Sequence, residues 1–454
     1  DPLFLQIATR VRAAIAVGHL LPGARLPSSR ALAAQLAIAR GTVDAAYALL
    51  AGEGAIETRG SAGTIVSGVA GRRVEAAEQP PLLFPRVPDI EPDGPRPFQM
   101  GLPALDAFPR KLWSSLIVRA ARSMQPADLA ESDPAGSAAL RQAVAAYLGV
   151  ARGIKCTPEQ VLITAGYQGA LALVRSVLIR PGDPVWMEDP GYHMTRMALE
   201  TCGARVVPVR VDAEGLRVAA GVNAAPKAKV AVVTPTHQCP TGVALSLPRR
   251  LELLAWAAEA GSWIVEDDYD SEFRYSGRPL PSLKSLDRGQ RVLYAGSFSK
   301  VLFPALRLGY LVVPPELEAA FLRAAKLLTS GLPLLDQRAV AAFMRNGHFA
   351  RHIRRMRILY GERRRSLAGA LQAAFGDRVV VELASGGMHL LARFPAAEDD
   401  TVLARRAGRA GLAATALSSL AMAHDAGQGL LLSFTNVAAA DAEALVGRLA
   451  GVVG

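Results

Sequence analysis

Seven prolines fall between Arg72 and Pro97, with few apolar clusters among them. Proline fixes φ and removes a backbone donor, so a stretch this dense in it supports neither a helix interior nor a central strand. The composition reads as a stiff, mostly irregular linker. It divides the chain into a small module, residues 1–68, a linker, 69–97, and a large body, 98–454. A chain of 454 residues, 51% of them hydrophobic, is long enough for two or more domains and a sizeable core. No apolar run reaches the length needed to span a bilayer. No signal peptide opens the chain, which begins at Asp1 without a Met. Cys156, Cys202 and Cys239 are scattered and odd in number. They suggest neither a disulfide frame nor a metal site, which fits a cytoplasmic protein. The net charge of +11 admits an anionic partner without naming it. The densest basic stretch, Arg345 to Arg365, reads first as a solvated helix face.

In the body, strand-like runs such as Lys229 to Val233 and Trp263 to Val265 alternate with alanine-rich helical stretches. That alternation predicts a parallel sheet covered by helices. After Pro314 the pattern turns helical and closes on a few strands, as at Leu430 to Phe434. One motif in this body carries chemistry. The run Arg291 to Gly296 ends in Ser297-Phe298-Ser299-Lys300, and Arg307 follows seven residues later. A lone Lys is normally a solvated surface charge. At a strand end, however, two hydroxyls and a two-pronged guanidinium can hold a phosphate. The amine is then free to form a Schiff base with an aldehyde on the same ligand. A second strand ends in Glu266-Asp267-Asp268-Tyr269. A third stretch, Val161 to Ala170, reads strand, turn, helix, and backbone N–H groups at Tyr167 and Gln168 would cradle a phosphate there.

The first 68 residues have a different pattern. Leu5 to Val17 has apolar residues at helical spacing. Ser28 or Ser29 can cap a second helix, Ser29 to Leu36, and a third runs from Arg40 to about Gly52. Ala55 to Thr58 and Thr64 to Val66 flank Gly60-Ser61-Ala62-Gly63 as a hairpin. This order reads as a winged helix-turn-helix, whose third helix enters the major groove. Arg40, Gly41, Thr42 and Asp44 then lie near base edges, while Arg30, Arg59 and Ser61 meet phosphates.

Hydroxyl, amine and guanidinium at Ser297, Ser299, Lys300 and Arg307 resemble the pyridoxal-phosphate (PLP) lysine motif of fold-type I aminotransferases. The resemblance places Asp267 on the ring nitrogen and Tyr269 on the phenolic oxygen, with Asp268 a neighbour. It stacks Tyr192, in Glu188-Asp189-Pro190-Gly191-Tyr192, on the cofactor ring. Pro2 to Ile7, Leu26 to Ala33 and Arg40 to Val43 resemble the GntR-type DNA-binding domain. Together the two halves resemble the MocR/GabR subfamily of bacterial transcription regulators. The implied fold is a small α+β winged helix-turn-helix plus an α/β fold-type I aminotransferase-like body with a smaller C-terminal α+β domain. The implied function is a homodimeric regulator that binds double-stranded operator DNA and senses PLP, or an amino acid or amine, through a Schiff base on Lys300.

Three departures from the aminotransferase pattern bear on turnover. Cys239, in His237-Gln238-Cys239-Pro240-Thr241-Gly242, stands where aminotransferases carry an Asn. Glu131 precedes Ser132-Asp133-Pro134-Ala135-Gly136 where many relatives have a Tyr. Leu431 stands where an Arg commonly binds the substrate carboxylate, and Arg196 is a candidate to take part of that role. These departures imply weak or absent transamination. The alternatives are a working aminotransferase with an appended DNA-binding domain, and a repressor whose body is only a dimerisation scaffold.

Overall fold

The computed structural model describes residues 2–60, 63–68, 94–278, 280–395 and 399–453. Ser61 and most of the Pro-rich segment lie outside them. The chain divides into two compact units, Asp1–Leu83 and Phe84–Gly454.

In the first unit, helices Leu3–Ala16, Ser29–Leu36 and Arg40–Gly52 are followed by antiparallel strands Ile56–Thr58 and Thr64–Val66. Ser28 is the cap of the second helix, its hydroxyl accepting from the Ala31 N–H at 3.2 Å. Ala37, in the left-handed region, ends that helix and turns the chain toward the third. The three helices share a core of Ile7, Ala8, Ala33, Val43, Ala46, Tyr47 and Leu50, with Leu26 and Ile56. The Tyr47 hydroxyl donates to the Pro27 carbonyl at 2.9 Å, fixing the turn before the second helix against the third. The sequence pattern did not reveal that residues 23–26 pair with the hairpin. The Leu26 N–H donates to the Thr64 carbonyl, and the Val66 N–H donates to the Ala24 carbonyl.

The second unit is built on an eight-stranded sheet. Strands Pro184–Asp189, Arg205–Asp212, Val230–Val233, Trp263–Asp268 and Val292–Ser297 pair in parallel. The expected parallel sheet is mixed: Gly309–Val312 runs antiparallel to both Val161–Thr164 and Val292–Ser297, and Gly215–Leu216 runs antiparallel to Arg205–Asp212. The first reversal is possible because Gly309 follows Lys300 after a short connection, without the long crossover that parallel strands need. The central parallel strands Val230–Val233, Trp263–Asp268 and Val292–Ser297 are buried on both faces, as helix-covered strands should be, while Arg205–Asp212 nearer the edge is partly exposed. A smaller antiparallel sheet, Val380–Glu382, His389–Arg393, Leu430–Ser433 and Thr415–Ala416, forms after the 28-residue helix His348–Phe375. Phe98 bridges to Ser433, so the chain has joined this small sheet by then.

Candidate functional site: a half-buried lysine at the carboxyl end of the sheet

Asp267 lies opposite Ala295 in the parallel register, and Asp268 opposite Gly296. Lys300 follows the second of these strands by three residues. Adjacent parallel strands therefore bring their carboxyl ends, and these side chains, together, where open α/β sheets bind ligands. Strand alternation separates the two aspartates. Asp268 is held by Arg152 at 2.6 Å and by the Tyr294 hydroxyl at 2.5 Å. Asp267 shares the field of Lys300, Cys239, Tyr192 and Tyr167.

Burial pushes the Lys300 ammonium below the usual lysine range, although Cys239, Asp267 and Asp270 oppose that shift. A lowered pKa leaves more free amine at neutral pH, which is the nucleophilic form. The amine donates to the Gly101 carbonyl at 3.0 Å. A Cβ at Gly101 would collide with the Lys300 Nζ, so the glycine there makes room for the amine. Burial, then the charge of Asp268, raises Asp267 well above the carboxylate range, with Lys300 pulling it back. Such a group is charged only opposite a cation.

The Cys239 thiol is pushed up to about 12, by burial first and then by Asp267. It is neutral, and carries a weak donor where an aminotransferase has an amide. The Tyr192 hydroxyl is pushed up to about 12, by burial and then by Cys239 and Asp267, with Arg307 pulling it down. Arg307 thus shares this cluster, on a left-handed backbone with φ of 51°. Tyr167 lies beside Tyr192, ring centroids 6.4 Å apart, and its hydroxyl meets that of Thr195 at 2.9 Å. The Ser297 hydroxyl accepts from the Ser299 N–H at 3.2 Å. Tyr167 and Gln168 open the helix Gly166–Leu178. The Gln168 Nε2 is buried with no partner among the described residues. A buried amide donor at a helix start, a desolvated amine and a desolvated carboxylate fit, in their chemistry, a ligand that carries a phosphate, an aldehyde and a pyridine nitrogen.

Sequence reasoning did not foresee the partners that several groups around this site take. The Tyr269 hydroxyl donates to the His237 carbonyl at 2.9 Å and also meets His237 Nδ1 at 2.9 Å. Asp270 contacts the same ring nitrogen at 3.0 Å. The buried Glu188, raised to about 7 by burial, accepts from the Thr234 hydroxyl at 2.5 Å and from Gln238 at 3.3 Å. Asp189 is fully buried and accepts from the N–H groups of Met422, Ala423 and His424 at 2.7–2.8 Å. The Gly191 N–H donates to the Leu420 carbonyl. These bonds tie the turn before Tyr192 to a segment following the small sheet's strand Thr415–Ala416. The stretches Glu188 to Tyr192 and His237 to Gly242 signalled a site, but their partners lie far away in sequence.

The other candidates are placed as follows. Arg196 pairs with Glu200 at 3.7 Å, one helical turn on. Glu131 is exposed. Leu431 is fully buried and packs with Leu391, Leu417 and Leu420. In the first unit, the Arg40 side chain is 67% exposed and lies 3.5 Å from Asp44. Gly41 has open space where a Cβ would stand, and Thr42 is half-buried. Arg30 is exposed, and Arg59, also exposed, pairs with Glu57 at 3.1 Å.

Helix, turn, helix and hairpin in one unit, and a lysine at the carboxyl end of a mixed sheet in the other, define a DNA-binding module fused to a PLP-binding, aminotransferase-like body. The sequence model of the gntR family of bacterial regulatory proteins matches residues 3–66, and that of class I and II aminotransferases matches 113–446. The chain belongs to the MocR-type GntR transcription regulators. It is 36% identical to the "Probable rhizopine catabolism regulatory protein MocR" of Rhizobium meliloti, over 96% of this chain and 90% of that one. It is 32% identical to the pyridoxine biosynthesis transcriptional regulator PdxR of Corynebacterium glutamicum, over 94% and 91%. Among solved structures, α-aminoadipate aminotransferase LysN of Thermus thermophilus, complexed with N-(5'-phosphopyridoxyl)-L-leucine, superposes with a TM-score of 0.71. That match has 31% identity and covers 78% of this chain and 91% of the other. The protein is a DNA-binding, PLP-binding transcription regulator. Among the described residues no helix is long and apolar enough to cross a membrane, and no cluster of metal-ligating side chains occurs.

Proposed function

We propose that this regulator reads the state of Lys300 and transmits it to DNA as a cytoplasmic homodimer, with little or no transaminase turnover. PLP supplies an electrophilic aldehyde and an electron-withdrawing ring. Lys300 would hold the cofactor through its amine. Asp267 would hold the proton of the ring nitrogen, and Tyr192 would lie against the ring. Ser297, Ser299, Arg307 and the helix start at Tyr167 and Gln168 would hold the phosphate. Tyr269, whose hydroxyl donates to the His237 carbonyl, would serve the phenolic oxygen.

One observation carries the preference for sensing: Leu431, where an Arg commonly binds the substrate carboxylate, is sealed in an apolar cluster. A transaminase gains rate only from contacts strengthened in the transition state, and a buried Leu offers a carboxylate none. An amine or amino acid that displaces Lys300 from the cofactor changes charge and tethering at the cleft. It can shift the protein only by its difference in affinity for two arrangements of the body. The curated names of MocR and PdxR, which refer to rhizopine catabolism and pyridoxine biosynthesis, support an effector that is an amino compound or the cofactor itself.

On DNA, Arg40 and Thr42 read bases, while Arg30, Arg59 and Ser61 position the module. Titration of an operator selected in vitro tests this. Arg40→Ala costs about 1–3 kcal/mol on the operator and relaxes one base position. Arg30→Ala weakens binding to every sequence and flattens the salt slope by about one unit. Equal loss on operator and random DNA for Arg40→Ala removes the base-reading role.

A further inference from the structure

The chain's net charge of +11 is unevenly distributed. The first 68 residues hold six Arg against four acidic residues, a surplus of only two. Residues 345–365 hold eight Arg against the single Glu362, a surplus of seven. The body, not the winged helix, therefore carries most of the positive charge of a DNA-binding protein.

The structure divides these arginines into two kinds. Arg363 and Arg364 are structural. Arg363 is buried against Asp106 and the Thr435 carbonyl, and Arg364 lies over the Tyr275 ring, 5.0 Å from its centre. The others face outward. Arg345, Arg351, Arg354, Arg355, Arg357 and Arg365 are all exposed. Positions 351, 354, 355, 358 and 362 share one face of the helix His348–Phe375 by the three-and-four spacing. Arg351, Arg354 and Arg355 line an open cavity of about 680 Å³ with Asp106 and Glu362. Among the described residues no carboxylate forms an ion pair with any of these three. The row from Arg351 to Arg355 is roughly 6 Å long at the helical rise. It matches a run of phosphates spaced about 3.4 Å apart along one DNA strand.

We propose that this face of the body contacts the phosphodiester backbone of duplex DNA through Arg351, Arg354 and Arg355, as a second, sequence-independent site in addition to the winged helix. The proposal rests on the protein's being a DNA-binding regulator. Its chemistry is counterion release: each arginine at a phosphate frees condensed cations, whatever the base sequence. It also accounts for a winged helix of such low net charge, since base reading and electrostatic capture are then done by different units.

The test uses the full-length protein and a 60-base-pair duplex of arbitrary sequence, titrated by fluorescence anisotropy between about 50 and 200 mM salt, the range over which backbone contacts are released. One variant combines Arg351→Gln, Arg354→Gln and Arg355→Gln. A control of equal charge combines Arg278→Gln, Arg288→Gln and Arg323→Gln, all exposed elsewhere on the body. We expect the first variant to bind at least tenfold more weakly at low salt. Its slope of log affinity against log salt should fall by up to about 2.7, at about 0.9 per lost phosphate contact. The control should stay near wild type. Equal effects in both variants reduce the result to net charge and overturn the proposal. So does an unchanged slope accompanied by altered oligomeric state, which assigns the face to a second copy of the chain. If wild type itself binds no duplex, DNA binding rather than this face has failed.

Discussion

Lys300→Ala removes the aldimine absorption band of the PLP-loaded protein, leaving only that of the free aldehyde, and leaves no lysine on which borohydride can trap the cofactor. The effect is all or none, because a methyl group cannot replace the amine. The fold survives: Lys300 contributes one hydrogen bond, to the Gly101 carbonyl, and its burial opposes its own charge. Free PLP still binds, through the phosphate and ring contacts, with weaker retention on dialysis. Peptide mapping after borohydride reduction of wild type identifies the attachment point. Label on any lysine other than Lys300 contradicts the assignment.

Asp189→Ala gives the second large effect. The carboxylate is fully buried and takes three main-chain N–H bonds and the His424 ring at 2.8 Å. Breaking a buried, hydrogen-bonded charged contact costs about 3–5 kcal/mol. Here part of that cost is recovered, because residues 421–425 reach solvent when released. The expected outcome is therefore local: hydrogen exchange at Met422, Ala423 and His424 accelerates by two or more orders of magnitude, and PLP retention falls because the turn carrying Tyr192 loosens. Asp189→Asn, which keeps one acceptor oxygen, lies in between. Unchanged protection at those three amides would show that the clamp does not hold the segment.

How much of this was legible depended on the range over which the deciding contact acts. Helices Ser29–Leu36 and Arg40–Gly52 were readable because a cap and a helical period are local signals. The division of labour between Asp267 and Asp268 came from the family resemblance; strand alternation separates the two side chains, and Arg152 and Tyr294 engage Asp268. The direction of Gly309–Val312 was not readable, since a four-residue apolar run is the same in either orientation. The His237–Asp270 pair, the Gly101–Lys300 bond and the Asp189 clamp join residues 33, 199 and up to 235 positions apart. No pattern in a single sequence links such positions. Leu431 was noticed as a missing Arg, but only packing shows that the position is closed to a ligand.

The central claim is that the state of Lys300 governs DNA binding. In the proposed homodimer, two winged helices would share one operator, so the second contact would gain from effective concentration. Ligand state then acts on how the two modules are presented rather than on base reading by one. The direct measurement is the affinity of the full-length protein for a selected operator with both half-sites and for a duplex with one, with and without PLP, in wild type and Lys300→Ala. PLP should change affinity for the double site by tenfold or more and for the single site by little, and Lys300→Ala should lose most of the difference. An equal PLP effect on both duplexes, no effect on either, or a full effect in Lys300→Ala would contradict the claim.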